Sequence, residues 1–397
     1  MTLPLEEIRV LDLTRLLPGP YCTMLMADFG AEVIKIEDPK QGDYARWMEK
    51  GAFFSSLNRN KKSVSLNLKT DEGKKIFQQM VQKTDVVIES FRPGVMERLG
   101  LGYETLKEIH PGLIYCAITG YGQDGPYRDR AGHDINYLSY AGILDLNGEK
   151  DEKPVIPSVQ IADLGGGAFM ALSGILMALI DRQATGKGQF VDISMLDGAV
   201  SLLQATLPQY LLTGKLPKRG EPDLSGGLAY YGVYETKDRR YLSVGALEPK
   251  FWAVFCRKIG REDLIDQRNA PPEKQDEMKK IIASIIKEKT FSDWMEIFDG
   301  TDACVSPVLT LEEMVQDPQV RHRQMILDLN HPEHGDIRLP GIPVKLSETP
   351  GSVRSLAPGL GEHNEKYLKE LGYKDKEIAQ FTEKKVIGSF NHPKKER

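Results

Sequence analysis

The chain has 397 residues, 41% of them apolar and 27% charged, and 52 basic against 57 acidic side chains leave a formal charge of −5. That length suffices for two domains and a sizeable core. The slightly acidic balance, with no long basic run before the C-terminal tail, argues against a nucleic-acid-binding or membrane-surface protein.

Short β-rich runs alternate with helical ones through the first 200 residues. "IRVLDLT" (8–14) predicts a strand, "GPYCTMLMADFG" a helix closed by Gly30, and "EVIKIED" (32–38) a second strand. "SVSLNL" (63–68), "DVVIESF" (85–91) and "GLIYCAITGYG" (112–122) predict further strands, with a helix over 70–84 between the first two. This alternation predicts an α/β unit with a mainly parallel sheet. "IADLGGGAFMALSGILMALIDR" (161–182) predicts an apolar helix. Residues 201–230, rich in Gly, Pro and Leu, are expected to be a linker. A smaller α+β domain follows over 231–320, opening with a strand pair turned at Lys237-Asp238. The chain beyond 321 is expected to be loopy, with a helix at "NEKYLKELG" and a basic tail.

Cys22, Cys116, Cys256 and Cys304 lie far apart without zinc spacing, which predicts free thiols in a reducing, cytoplasmic setting. The start, "MTLPLEEIRVLDLT", lacks the basic and apolar regions of a signal peptide. No window approaches eighteen apolar residues free of charge and glycine, so no membrane span is expected.

Three signals are set aside. "GYGQDG" (120–125) matches a dinucleotide fingerprint, but Pro126 and a polar run follow where a helix should begin. Glu37 imitates the acid of an NAD-binding half, yet "RLLPGPY" cannot supply the three-glycine turn. His331, Glu333, His334 and Asp336 resemble a metal cluster but have no second ligand set, and a solvated loop is the reading preferred.

Chemistry gathers elsewhere. Asp163 stands at the mouth of the apolar helix and Gly165, Gly166 and Gly167 follow it. A carboxylate there is a good cap. It leaves the glycines unexplained unless they admit a ligand to the backbone beside free N–H groups. Upstream, "AGHDINYLSYAG" places His133 and Asp134 after a strand end, where α/β sites collect. Downstream, Glu248 sits between an apolar strand and Pro249.

"GHDINY", "DLGGG", "GKGQFVDISMLDG" and "GALEP" occur here in the order seen in family III CoA-transferases. Within that family the chain resembles the α-methylacyl-CoA racemase branch. "FRPGVMERLGLGY", "LNLK" and "DACVSPV" strengthen the likeness. One position departs: Val159 stands four residues before Asp163 where the branch often carries Asn, with Gln160 next to it.

The resemblance implies an α/β fold with a Rossmann-like large domain and a smaller α+β domain in an interlocked homodimer. The large CoA-binding domain would begin with 1–200, and 321–397 would return to it. It implies that His133 and Asp163 are the two acid/base groups of a 1,1-proton transfer α to a thioester, with Glu248 orienting His133. Removing that proton needs a base and stabilisation of the enolate oxygen, here expected from N–H groups near Asp163. The CoA moiety would contact Arg46, Leu66, Asn67, Leu68, Lys69, Ser90, Phe91, Arg92 and Arg98. Around the thioester it would contact Gly132, Asp134, Tyr137, Leu164 and the three glycines. "RNKKS" (59–63) is read as either a solvated basic loop or part of a 3′-phosphate site. No cofactor beyond CoA, no metal and no nucleic-acid or membrane partner is expected. The rival is a CoA-transferase with Asp163 as nucleophile; a silent CoA-binding protein is the third reading.

Overall fold

In a computed structural model, residues 2–331 and 335–388 are described here, and the chain divides into two compact units. The first comprises residues 1–141, 159–202 and 322–397; the second, 142–158 and 203–321. The stretch 142–158 thus groups with the second unit although it precedes residue 200.

Six strands form the main sheet of the first unit: β1 (Arg9–Asp12), β2 (Glu32–Glu37), β3 (Lys62–Ser65), β4 (Val86–Glu89), β5 (Ile114–Thr119) and β6 (Phe190–Ser194). All neighbours are parallel, in the order β3-β2-β1-β4-β5-β6, so the order reverses between β1 and β4. β4 and β5 are buried throughout, as their unbroken apolar runs require of strands covered on both faces. The core joins Leu11, Ile34, Phe77, Val87 and Tyr115 to Tyr367, Leu368, Val386 and Ile387 from the far end of the sequence. A helix at Asn364–Glu370 holds the first of these late residues. A second, Asp375–Glu383, lies where only a tail was expected.

Two further expectations need correction. The region after 321 is not only loop: β10 (Ile326–His331) pairs antiparallel with β11 (Gly335–Pro340), because apolar and polar residues alternate in both runs. Asp336 accepts from Asn330 there, while Glu333, His334 and the basic tail after 388 lie outside the described residues. "RNKKS" is neither solvated nor open to a phosphate. Arg59 and Lys61 are 0% and 1% exposed. Arg59 forks onto Asp28 at 2.7 and 3.0 Å, and Lys61 donates to Asp12, Asn58 and the Pro20 carbonyl. Asn60 donates to the Ser352 carbonyl and accepts from Ser355, so these buried polar groups stitch the late segment to the sheet.

The second unit has a three-stranded antiparallel sheet, β7 (Tyr231–Glu235), β8 (Tyr241–Gly245) and β9 (Val305–Pro307). Helices Pro249–Lys258, Pro272–Ile286 and Phe291–Phe298 cover a core of Trp252, Phe255, Ile282, Ile286 and Trp294. The expected linker is partly helical, at Leu207–Thr213, with Leu211, Leu212 and Leu216 exposed.

Candidate active site

The predicted apolar helix begins as a π-helical stretch, Ala162–Phe169, and continues as an α-helix over Met170–Thr185. A π segment inside a helix is uncommon and often marks a functional position. The helix start meets the start of a second helix, Asp134–Tyr140, for which His133 is the N-cap position. The junction is made by one carboxylate. Asp134 Oδ1 accepts from the backbone N–H groups of Ala162 (2.7 Å) and Asp163 (3.1 Å).

That corrects two expectations. The helix is capped by Asp134, brought in from another element, and not by Asp163 at its own mouth. The amides of Ala162 and Asp163 are therefore occupied, and the Leu164 amide donates to the Gln160 carbonyl. None of these three is free for an enolate oxygen. Val159, four residues before Asp163, is exposed.

Asp163 is left with a half-buried carboxyl. Burial, and then the like charge of Asp134, push its pKa up to about 7. A carboxyl balanced near neutral pH is suited to both giving and taking a proton. His133 is exposed, and its backbone is fixed by donation to Asn136 Oδ1 at 3.0 Å. His133, Asp134 and Asp163 thus come together at two helix starts. Glu248 lies in the second unit, exposed, at the N-cap position of the Pro249–Lys258 helix.

The glycines serve packing more than ligand access. A Cβ on Gly166 would lie 2.6 Å from the Met195 carbonyl and 2.9 Å from the Ala199 nitrogen, both on the Met195–Ser201 helix. One on Gly198 would lie 2.3 Å from Gly166 Cα, so the two helices touch backbone to backbone. Gly167 faces Met195 and Pro18. Gly165 meets only the Leu202 side chain within 4 Å. Gly132, together with Gly120, makes room for the ring of Tyr137, whose hydroxyl donates to the Gly132 carbonyl at 2.6 Å.

Most of the residues assigned to CoA follow the carboxyl ends of β3 and β4, where ligands of parallel sheets collect. Leu66 is in the core and Leu68 packs on it; the Asn67 amide donates to the Val386 carbonyl. Lys69 and Arg92 are exposed. Ser90 accepts from the Arg15 amide, and the Arg15 guanidinium lies 5.2 Å from the Phe91 ring. Arg98 is exposed, and the hydrogen bonds and ion pairs of the described residues leave its guanidinium without a partner. Arg46 is not available for a phosphate. It grips both oxygens of Glu37 (2.8 and 2.7 Å), donates to the Pro358 carbonyl and lies 3.7 Å from the Phe54 ring. Glu37, the residue that imitated an NAD acid, is its partner.

Sequence reasoning missed Glu89, at the end of β4. Burial, with Glu97 nearby, raises its carboxyl to about 8. It also missed a tyrosine and arginine cluster over 121–140, although four Tyr and two Arg in twenty residues were visible there.

Comparisons with known proteins place the chain among relatives of the same mixed α/β fold. A family model described as "CoA-transferase family III" matches residues 5–364. The human α-methylacyl-CoA racemase is 38% identical over 388 residues, covering 97% of this chain and 98% of that one. The mouse succinyl-CoA:glutarate CoA-transferase is 37% identical over 379 residues, covering 93% and 86%. A crystal structure of a CAIB/BAIF family protein from Brucella suis superposes with a TM-score of 0.81 at 31% identity, covering 94% of this chain and all of that one. With racemases and transferases both at this level of identity, and the mixed α/β fold in common, the chain belongs to CoA-transferase family III.

Proposed function

We propose that the protein epimerises 2-methyl-branched acyl-CoA thioesters by 1,1-proton transfer through an enolate. His133 removes the α-proton of one epimer while Asp163 stands protonated at the opposite face and delivers the replacement. The reverse reaction exchanges the roles. The carrying observation is the Asp163 carboxyl, balanced at about 7 between burial and Asp134. A group that must leave as an acid in one direction and act as a base in the other works best with a pKa near the working pH.

Glu248 is assigned to orienting the His133 imidazole on the family resemblance. Arg98 is the preferred contact for a CoA phosphate, and no cofactor beyond CoA enters the reading. The strand order β3-β2-β1-β4-β5-β6 is that of dinucleotide-binding sheets and supports a Rossmann-like description. A homodimer is supported by the helix Ala162–Thr185. Its 24 residues are long and apolar enough to cross a membrane by length and composition, with an 18-residue window of mean hydropathy 1.7. It packs on β5 and β6, yet Met177 and Ile180 remain 68% and 67% exposed. A second copy covering that stripe accounts for it. Four free thiols, Cys304 among them exposed, suit the reducing cytoplasm proposed for it.

The second reading is a CoA-transferase in which Asp163 attacks the thioester, favoured by the transferase relatives at 36–37% identity. One experiment separates the two. The protein is incubated with (S)-2-methylacyl-CoA in deuterated buffer, and the α-proton is followed by NMR for wild type, His133→Gln and Asp163→Asn. Deuterium wash-in with both epimers formed, abolished in each variant, supports the racemase. Absence of exchange together with transfer of CoA to an added carboxylic acid refutes it.

A further inference from the structure

The loop and helix leading from β5 to the end of the Asp134–Tyr140 helix hold a cluster the mechanism leaves unused. The Tyr121 ring sits edge-on to those of Tyr127, Tyr137 and Tyr140, with centroids 5.8, 5.2 and 5.7 Å away, and Tyr127 and Tyr140 are 4.9 Å apart. Arg130 lies against this group. Its guanidinium carbon is 4.0 Å from the Tyr127 centroid and 5.9 Å from that of Tyr140, and one terminal nitrogen donates to the Tyr140 hydroxyl at 2.5 Å. Arg128, two residues earlier, pairs with Asp129. Arg130 is exposed and, among the described residues, has no carboxylate partner.

A guanidinium carries five N–H donors in a fixed plane. With one face on an aromatic ring and one donor on a hydroxyl, its position is set and most of its donors still point to solvent. That is a preformed fork for a planar two-oxygen anion. The cluster is continuous with the acid/base pair. Tyr137 touches Tyr121 and donates to the Gly132 carbonyl beside His133, and burial, followed by the nearby charge of Asp163, raises its hydroxyl pKa. Tyr140 is seven residues along the helix that His133 opens, a rise of about 10 Å.

We propose that Arg130, held by Tyr127 and Tyr140, binds a carboxylate at the far end of the acyl group, so that the preferred substrates are thioesters of dicarboxylic acids. The assignment rests on the reading that the α-carbon lies at His133 and Asp163.

The test uses 2-methylglutaryl-CoA and its ω-methyl ester, which share one carbon skeleton and differ in the distal charge. α-Deuterium exchange gives kcat/KM for each with wild type, Arg130→Gln and Arg130→Lys. The expected result is a wild-type preference for the acid of tenfold or more, collapsing toward one in Arg130→Gln through a higher KM for the acid. Arg130→Lys keeps the charge but not the fork, and recovers part of the preference. An unchanged ratio overturns the proposal. So does an equal loss on both thioesters, which assigns Arg130 to a CoA phosphate or to folding. Should wild type exchange neither thioester, the proton-transfer reading has failed, and the ratio of the two dissociation constants by calorimetry decides the role of Arg130 on the same terms.

Discussion

Asp134→Asn isolates the feature on which the chemistry of Asp163 depends. The amide oxygen of Asn can still accept from the Ala162 and Asp163 N–H groups, so the helix start stays capped, but the like charge beside Asp163 is gone. Two carboxylates roughly 6 Å apart repel by about 1.4–2.8 kcal/mol at an effective dielectric of 40 to 20. The lower figure corresponds to about one pH unit. Burial, the larger cause, remains, so the Asp163 carboxyl falls from about 7 but stays above its ordinary value. On the proposed mechanism Asp163 must be ionised to act as a base, so acid that protonates it stops proton removal by this group. The acid limb of the pH profile of kcat/KM, read from α-deuterium exchange, therefore moves down, by at most about one pH unit. Stability changes with it. A carboxyl whose folded pKa is raised binds more protons in the native state between about 4 and 7, so stability falls as pH rises through that window. Relieving the repulsion raises stability above pH 7 by about 1 kcal/mol in urea unfolding. An acid limb that stays in place, with the variant folded, refutes both the coupling and the role of Asp163 in setting that limb.

Other changes sort packing from binding. Gly166→Ala forces a Cβ onto the backbone of the Met195–Ser201 helix, which cannot yield as a side chain can, and is expected to cost about 1–3 kcal/mol in urea unfolding. Gly165→Ala meets only the flexible Leu202 side chain and is expected to stay within about 0.5 kcal/mol of wild type, helped by better helix propensity. Equal losses at the two positions would show that the backbone contact is not what selects glycine. Arg46→Ala leaves buried Glu37 without its fork and is expected to cost about 3–5 kcal/mol of stability. Arg98→Ala is expected to leave the Tm unchanged and weaken CoA binding about tenfold or more, a charge-assisted contact being worth about 1.5–3 kcal/mol. Calorimetry with CoA on both variants checks the contrast, and a reversed pattern would return Arg46 to the phosphate.

The parallel sheet was legible because each strand is an uninterrupted apolar run bounded by turn residues, as in "DVVIESF" and "GLIYCAITGYG". The hairpin of β10 and β11 was not, because the prolines around it outweighed an alternation only six residues long. Residue types alone hid the burial of Arg59 and Lys61. Their charges are satisfied by Asp28 and Asp12, which are 31 and 49 positions away in the chain. Position along the chain also misassigned Arg46. A guanidinium that ought to face a phosphate is indistinguishable in sequence from one that grips a buried carboxylate nine residues upstream.

At the site, the sequence singled out an acid whose carboxyl the fold raises to about 7, and it mistook the roles of that acid's neighbours. The glycines after Asp163 suggest an opening for ligand in the sequence, but Gly166 and Gly198 meet each other, a contact that only folding brings about. Capping by Asp163 is one reading its position allows, but the capping carboxylate comes from 29 residues upstream. That exchange of roles is chemically useful. A carboxylate that caps its own helix spends its oxygens on backbone donors, and such bonds hold its pKa down. Among the described residues the Asp163 carboxyl accepts no such backbone bond, while it keeps the desolvation of a half-buried position and has the like charge of Asp134 beside it. The first effect fails to lower its pKa and the other two raise it.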